Sequence, residues 1–351
     1  MDASSPASST EPASRRTALP AVDAAALHVR PAPGLRHPFT QSLLASLRLR
    51  KGINERRWPH LNRLARTHIL DAGDGVQLQA LHTPALQERR GTVVLLHGWE
   101  GCHDSIYLHS LGCHLHRAGW EIVRLNLRDH GATHHLNAEP FHSARMDEVF
   151  GALRAIARLV DNGIQLVGFS LGGNFTLRSA LGATAADIPL RQAIAINPAV
   201  NPRATTEALD GQRLYSRYFT RKWRRTLAAR RAAWPLGPDY ADLLEPRQLL
   251  DVTERFATRY LGFSSADDYF SHYWLRPGHF RALDIPTTIV SAADDALVPV
   301  ADIAALQGQS PQLEVCVSPH GGHCGYVRDW RLQSWLDPWV AARLNRFADS
   351  A

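Results

Sequence analysis

The apolar positions of this chain change period as it proceeds. Leu43, Leu44, Leu47 and Leu49 recur at near-helical spacing, which predicts a helix over residues 40–50 with Gly52 as its stop. Residues 67–70 and 76–81 then read as two strands. The link between them, Asp71-Ala72-Gly73-Asp74-Gly75, is rich in turn formers, so the pair reads as a hairpin. After the hairpin, short apolar runs alternate with helical stretches. Strands are expected at 92–97, 120–127, 164–169, 192–196, 287–291 and 312–317, with helices at 108–118, 144–162 and 174–181. Runs of this length that are apolar on both faces, separated by helices, predict a mostly parallel, doubly wound α/β sheet covered on both sides.

The alternation lapses between residues 200 and 283. That stretch carries many aromatics and arginines and no convincing strand, so it is expected to be a helical cap inserted over the sheet edge where ligands enter. Residues 1–34 are rich in Ala, Ser, Pro and Arg and read as a disordered tail, which leaves 35–351 as the folded domain.

Composition narrows the classes. Of 351 residues, 45% are hydrophobic and 21% charged, which is ordinary globular usage and excludes a mainly disordered or fibrous chain. No run approaches the roughly 18 apolar residues a spanning helix needs. The net charge is +6, and Lys51 and Lys222 are the only lysines. So strong an arginine bias follows genome base composition and gives no ground for a nucleic-acid partner. Cys102, Cys113, Cys316 and Cys324 are scattered without CxxC spacing, which suggests free thiols in a reducing compartment. The N-terminal stretch lacks the apolar core of a secretory signal, and the expected location is cytoplasmic.

The chemistry centres on Gly168-Phe169-Ser170-Leu171-Gly172, a G-x-S-x-G pattern directly after an apolar strand and directly before a helix. A strand–turn–helix of this kind is what a nucleophile elbow requires: it strains the serine backbone, and a side chain at Gly168 or Gly172 would collide with a neighbouring element. A serine hydroxyl needs a base. His323, in Gly321-Gly322-His323 after the last expected strand, supplies one. Asp295, just after the strand at 287–291, supplies an acid to orient it, with Asp294 as its neighbour and rival. The backbone N–H of Leu171 and that of Trp99, which follows Gly98 in the loop His97-Gly98-Trp99-Glu100-Gly101, are the expected oxyanion donors.

Together, His97-Gly98, Gly168 to Gly172, Asp295-Ala296-Leu297-Val298-Pro299 and Gly321-Gly322-His323 resemble the α/β-hydrolase superfamily. The loop at 97–101, Asn126-Leu127-Arg128, His142-Ser143, Asn197-Pro198 and Leu35-Arg36-His37-Pro38 are similar to its YheT-like branch, over about residues 35–345. The resemblance implies an α/β-hydrolase fold and a carboxylesterase or acylglycerol lipase that needs no cofactor. Acyl transfer through the same acyl-enzyme, or lipid binding without catalysis, are the alternatives.

Two further features read in more than one way. Nine of the 18 histidines fall within residues 97–142. His130, His134 and His135 would be the nucleus of a metal site, but no HExxH pattern brackets them, and no metal is expected. His97 is expected to brace the oxyanion loop. The stretch 215–234 is basic, with Tyr215, Phe219, Trp223 and Leu227 along one helical face. It lies on an anionic membrane surface, packs its aromatics inward beneath solvated arginines, or does both.

Overall fold

The computed structural model describes residues 30–87, 89–245 and 248–348. The predicted tail lies outside the described residues through position 29. Ala32 already donates its N–H to the Arg328 carbonyl, 2.9 Å away.

The first predicted helix is two helices, α1 (Pro38–Ala45) and α2 (Arg48–Arg57), followed by a single turn, α3 (His60–Arg63). The break falls at Leu47, whose backbone is extended (φ −71°, ψ 129°). The kink lets the Arg50 guanidinium turn inward, where it is buried and donates to the Ala45 carbonyl and the Ser110 hydroxyl. Gly52 does not stop the helix. It sits inside α2 with open space where a side chain would be, so glycine costs only its helix propensity there, about 1 kcal/mol.

β1 (Arg66–Asp71) and β2 (Gln77–Thr83) form the predicted hairpin. Then follow β3 (Thr92–Leu96), α4 (Ile106–Arg117), β4 (Glu121–Leu125), α5 (Asp147–Val160), β5 (Ile164–Phe169), α6 (Leu171–Gly182) and β6 (Leu190–Ile196). The insertion comes next, with α7 (Pro202–Gly211), α8 (Arg213–Ala233), α9 (Leu249–Tyr260) and α10 (Ala266–Ser271) plus two short 3-10 turns. β7 (Thr287–Ala292), α11 (Val300–Ala304), β8 (Leu313–Ser318) and α12 (Leu336–Ala348) complete the chain.

The strand order is β1-β2-β4-β3-β5-β6-β7-β8. β2 pairs antiparallel with β4, and the six strands from β4 to β8 are mutually parallel. Strand alternation divides the core into two. Val94, Leu96, Leu166, Ala193 and Ile289 pack on α5 and α6. Val93, Leu95, Val167, Ile194 and Val290 pack on α4 and α12. Both faces are buried, which is why these strands read as short, mostly apolar runs, with Glu121, Arg124, Gln165 and Gln192 as buried polar exceptions.

The insertion contains no strand among the described residues. Trp223, Leu227, Tyr240, Leu249 and Phe256 form its own core, with Tyr215 and Phe219 packed against it. The aromatic stripe of the basic helix therefore faces inward. The insertion's last part behaves differently: Tyr269, Phe270, Tyr273, Phe280 and Leu283 join the main core.

Candidate active site

The parallel strands all end on one edge of the sheet, and the chain places its chemistry there. β5 ends at Phe169, and Ser170 follows with φ 55° and ψ −118°, a left-handed conformation that a side chain adopts only under constraint. The flanking glycines explain how the turn closes. A Cβ on Gly168 would stand 2.2 Å from the Gly172 carbonyl oxygen and 2.2 Å from Thr176 Oγ1. A Cβ on Gly172 would stand 2.4 Å from the His97 carbonyl oxygen.

β8 leads into the loop that carries His323. Its Nε2 lies 2.9 Å from Ser170 Oγ. Its Nδ1 lies 2.9 Å from Asp295 Oδ2 and 3.2 Å from Oδ1. Asp295, after β7, is itself held: Oδ1 accepts the N–H groups of Leu297 and Val298 at 2.8 and 3.2 Å, and Oδ2 accepts Asn197 Nδ2 at 2.5 Å. Asp294 turns the other way and accepts the Gly322 N–H at 2.8 Å. The two adjacent carboxylates thus serve different ends of the histidine loop, one the ring and one the backbone.

Burial alone pulls the His323 imidazole down. The Asp295 carboxylate beside it more than reverses this, so its pKa lies well above 6.5. Burial pushes Asp295 up, but the His323 charge and the N–H donors override it and hold the carboxyl below the usual range.

The loop after β3 faces Ser170. Gly98 donates its N–H to the Tyr107 hydroxyl at 2.9 Å, and Glu100 donates its own to His130 Nε2 at 3.2 Å. Between them, the Trp99 N–H has no acceptor among the described residues, and neither has the Leu171 N–H at the start of α6. His97 Nδ1 donates to the Gly98 carbonyl at 2.8 Å while its Nε2 accepts the Leu127 N–H at 3.1 Å. His130 Nδ1 donates to the Arg128 carbonyl at 2.7 Å. Both rings are therefore occupied at both nitrogens, and burial lowers both, His130 to about 4. They are neutral braces of the loop. No group of three or more candidate metal ligands occurs among the described residues.

Ser170, Leu171 and His323 line a cavity of about 1040 Å³. Its walls include Trp99, Leu209, Phe219, Trp223, Phe256 and Leu297. The Trp99 ring stacks on Phe219 at 5.5 Å and meets Trp223 edge-on at 5.6 Å, which ties the loop to α8. Glu100 strengthens the tie: its carboxylate accepts the Thr226 hydroxyl at 2.8 Å and its carbonyl accepts Lys222 Nζ at 2.9 Å. Burial pushes the Glu100 carboxyl up to about 7.

Several supporting residues carry no pattern that the sequence reading picked up. Ser42 of α1 accepts the His323 N–H at 2.9 Å, across 281 positions of chain. Gln41 holds the same loop at Val327. Arg230, expected among solvated arginines, is instead buried and bonded to both Asp129 oxygens at 2.8 and 2.9 Å. Its signal was its position: Arg230 continues the Trp223 and Leu227 face at helical spacing.

Residues 91–329 match the alpha/beta hydrolase fold family. The chain belongs to that family. Within it the chain is YheT-like: it is 26% identical over 288 residues to the Escherichia coli (strain K12) protein named "Putative esterase YheT", covering 80% of this chain and 84% of that one. A Synechocystis protein named "Putative esterase slr0264" is 23% identical, over 76% of this chain and 79% of its own. Among solved structures, Pyrococcus furiosus esterase Pf2001 aligns with a TM-score of 0.51 at 15% identity, over 82% of this chain and 90% of that one. A 2,6-dihydroxy-pseudo-oxynicotine hydrolase aligns at 0.54 and 16%, over 85% and 72%. These structures share the fold. No helix among the described residues is long and apolar enough to cross a membrane.

Proposed function

We propose that this α/β hydrolase cleaves carboxylic esters with a large apolar acyl part, through an acyl-serine intermediate. The observation that carries the reading is the unbroken relay from Ser170 Oγ to His323 to Asp295, with both links at 2.9 Å, opening on an aromatic-walled cavity. The esterase names of the similar proteins support the same class.

In this mechanism Ser170 Oγ attacks the ester carbonyl as His323 Nε2 takes its proton. Asp295 keeps the Nδ1–H tautomer and stabilises the imidazolium. The unpaired N–H groups of Leu171 and Trp99 stabilise the oxyanion. Collapse of the tetrahedral species expels the alcohol, which takes the proton from His323. A water then gives its proton to His323 and attacks the acyl-serine; collapse expels the acid as Ser170 Oγ takes the proton back from His323. The apolar walls suit fatty acyl chains, acylglycerols among them.

The test is a panel of p-nitrophenyl esters from acetate to long-chain acyl groups, with monoacylglycerols added. Hydrolysis is expected, with kcat/KM rising along the chain until the cavity is filled. No hydrolysis of any member would overturn it. Transfer to added alcohols in preference to water would instead make the enzyme an acyltransferase.

A further inference from the structure

The outward face of α8 is built at a cost that its own chain does not offset. Its 21 residues contain seven arginines, one lysine and no acidic residue. Arg213, Arg217, Arg221 and Arg225 follow one another at intervals of four, which stacks like charges on neighbouring turns. Such pairs destabilise a helix, and solvated helices usually interleave acids to avoid them. All four are exposed, and none has an ion pair among the described residues; Arg230 and Arg231, in contrast, find Asp129 and Asp239.

Apolar side chains stand among these charges. Leu214 and Tyr218 lie on the same helical face as Arg217, Arg221 and Arg225, and they are 64% and 52% exposed. Both also line the catalytic cavity, as does Leu43 of α1, which is 49% exposed. Lining residues that are this exposed mark where the cavity meets solvent. Exposed apolar groups at an opening, bordered by unpaired guanidiniums, form a surface with two complementary needs: an apolar layer and anions above it.

We infer that this face docks on an anionic lipid bilayer. The arginines of α8 would sit at the level of the headgroup phosphates. Leu43, Leu214 and Tyr218 would enter the acyl boundary, so that the cavity opens onto the bilayer. The partner is a lipid surface rather than a nucleic acid, because a polyanion alone gives the exposed leucines nothing to meet. The docking surface is distinct from the inward aromatic stripe, which the cap core consumes.

The test uses the full chain and flotation with vesicles of phosphatidylcholine containing about 30% phosphatidylglycerol, against pure phosphatidylcholine, at low and high salt. Wild type should float with the anionic vesicles, lose that binding as salt rises, and stay unbound on pure phosphatidylcholine. Each guanidinium near an anionic surface strengthens binding by about fivefold. Arg217→Gln with Arg221→Gln and Arg225→Gln should therefore weaken it by about 100-fold, and the corresponding Glu triple by more. Both triples should cleave a soluble short ester within about twofold of wild type, which shows an intact fold. Ser170→Ala should float like wild type, so vesicle binding is read independently of ester cleavage. Failure to float at low salt, equal binding to both vesicle types, or an unaffected Glu triple would overturn the inference. Tighter binding of a fluorescent single-stranded oligonucleotide than of the vesicles would overturn it in favour of a nucleic-acid partner.

Discussion

Replacing Asp295 by Asn keeps the shape of the side chain and inverts half of its hydrogen bonding. Asp295 Oδ1 accepts two backbone N–H groups, from Leu297 and Val298, so the amide oxygen of Asn stays on that side. The NH₂ group then falls where Oδ2 received His323 Nδ1 at 2.9 Å and Asn197 Nδ2 at 2.5 Å. Three donors would meet there. The imidazole resolves its part by presenting a lone pair at Nδ1, which moves its proton to Nε2, toward Ser170 Oγ. The serine then faces a donor and has no base. In serine proteases the equivalent exchange costs about 10⁴ in turnover, or about 5 kcal/mol of barrier, and a similar loss is expected here. The donor left facing Asn197 should also lower stability by about 1–3 kcal/mol. Asp294→Asn is the control. Its amide oxygen can still accept the Gly322 N–H, so turnover should stay within about tenfold and stability within about 1 kcal/mol. Turnover on a p-nitrophenyl ester and the melting temperature are measured for both variants. A dead Asp294→Asn beside an active Asp295→Asn would refute the reasoning.

Three further outcomes follow from the same geometry. Arg230→Ala leaves Asp129 buried without its cation and should cost about 3–5 kcal/mol in urea unfolding; a loss under 1 kcal/mol would mean that water compensates the pair. Protonated His323 cannot take the serine proton, so kcat/KM should fall as pH drops through its pKa; because that pKa is raised, the midpoint should lie above 6.5, and full activity down to pH 5 would contradict the assignment. Dialysis against a strong chelator should leave activity unchanged, since His97 and His130 use both ring nitrogens within the protein; loss on chelation with recovery on added zinc would assign the histidine-rich stretch a different role.

What the sequence revealed and what it hid have physical causes. The parallel strands were legible because burial on both faces makes them short, mostly apolar runs, and the elbow because its glycines are forced by contacts within a few residues and one neighbouring strand. The choice between Asp294 and Asp295 rests on the direction in which adjacent residues leave β7, which composition does not encode. Ser42 reaching His323, and Gln41 reaching Val327, join segments nearly the whole chain apart, so no local pattern announces them. The first helix departs from its apolar pattern in both directions. Gly52 carries a propensity that α2 overrides in an open position, while the break at Leu47 has no Gly or Pro to mark it and is what lets Arg50 turn inward. Arg230 shows the same limit from another side: one arginine among seven pairs with a buried aspartate contributed by a different loop.

Everything in the proposed chemistry depends on Ser170 being the nucleophile. A fluorophosphonate probe reacts with a serine that a neighbouring base activates, and peptide mapping by mass spectrometry locates the adduct. One adduct is expected, on Ser170, blocking ester hydrolysis, with no labelling of a folded Ser170→Ala variant. An adduct on another residue, or a Ser170→Ala variant that labels and turns over like wild type, would contradict it.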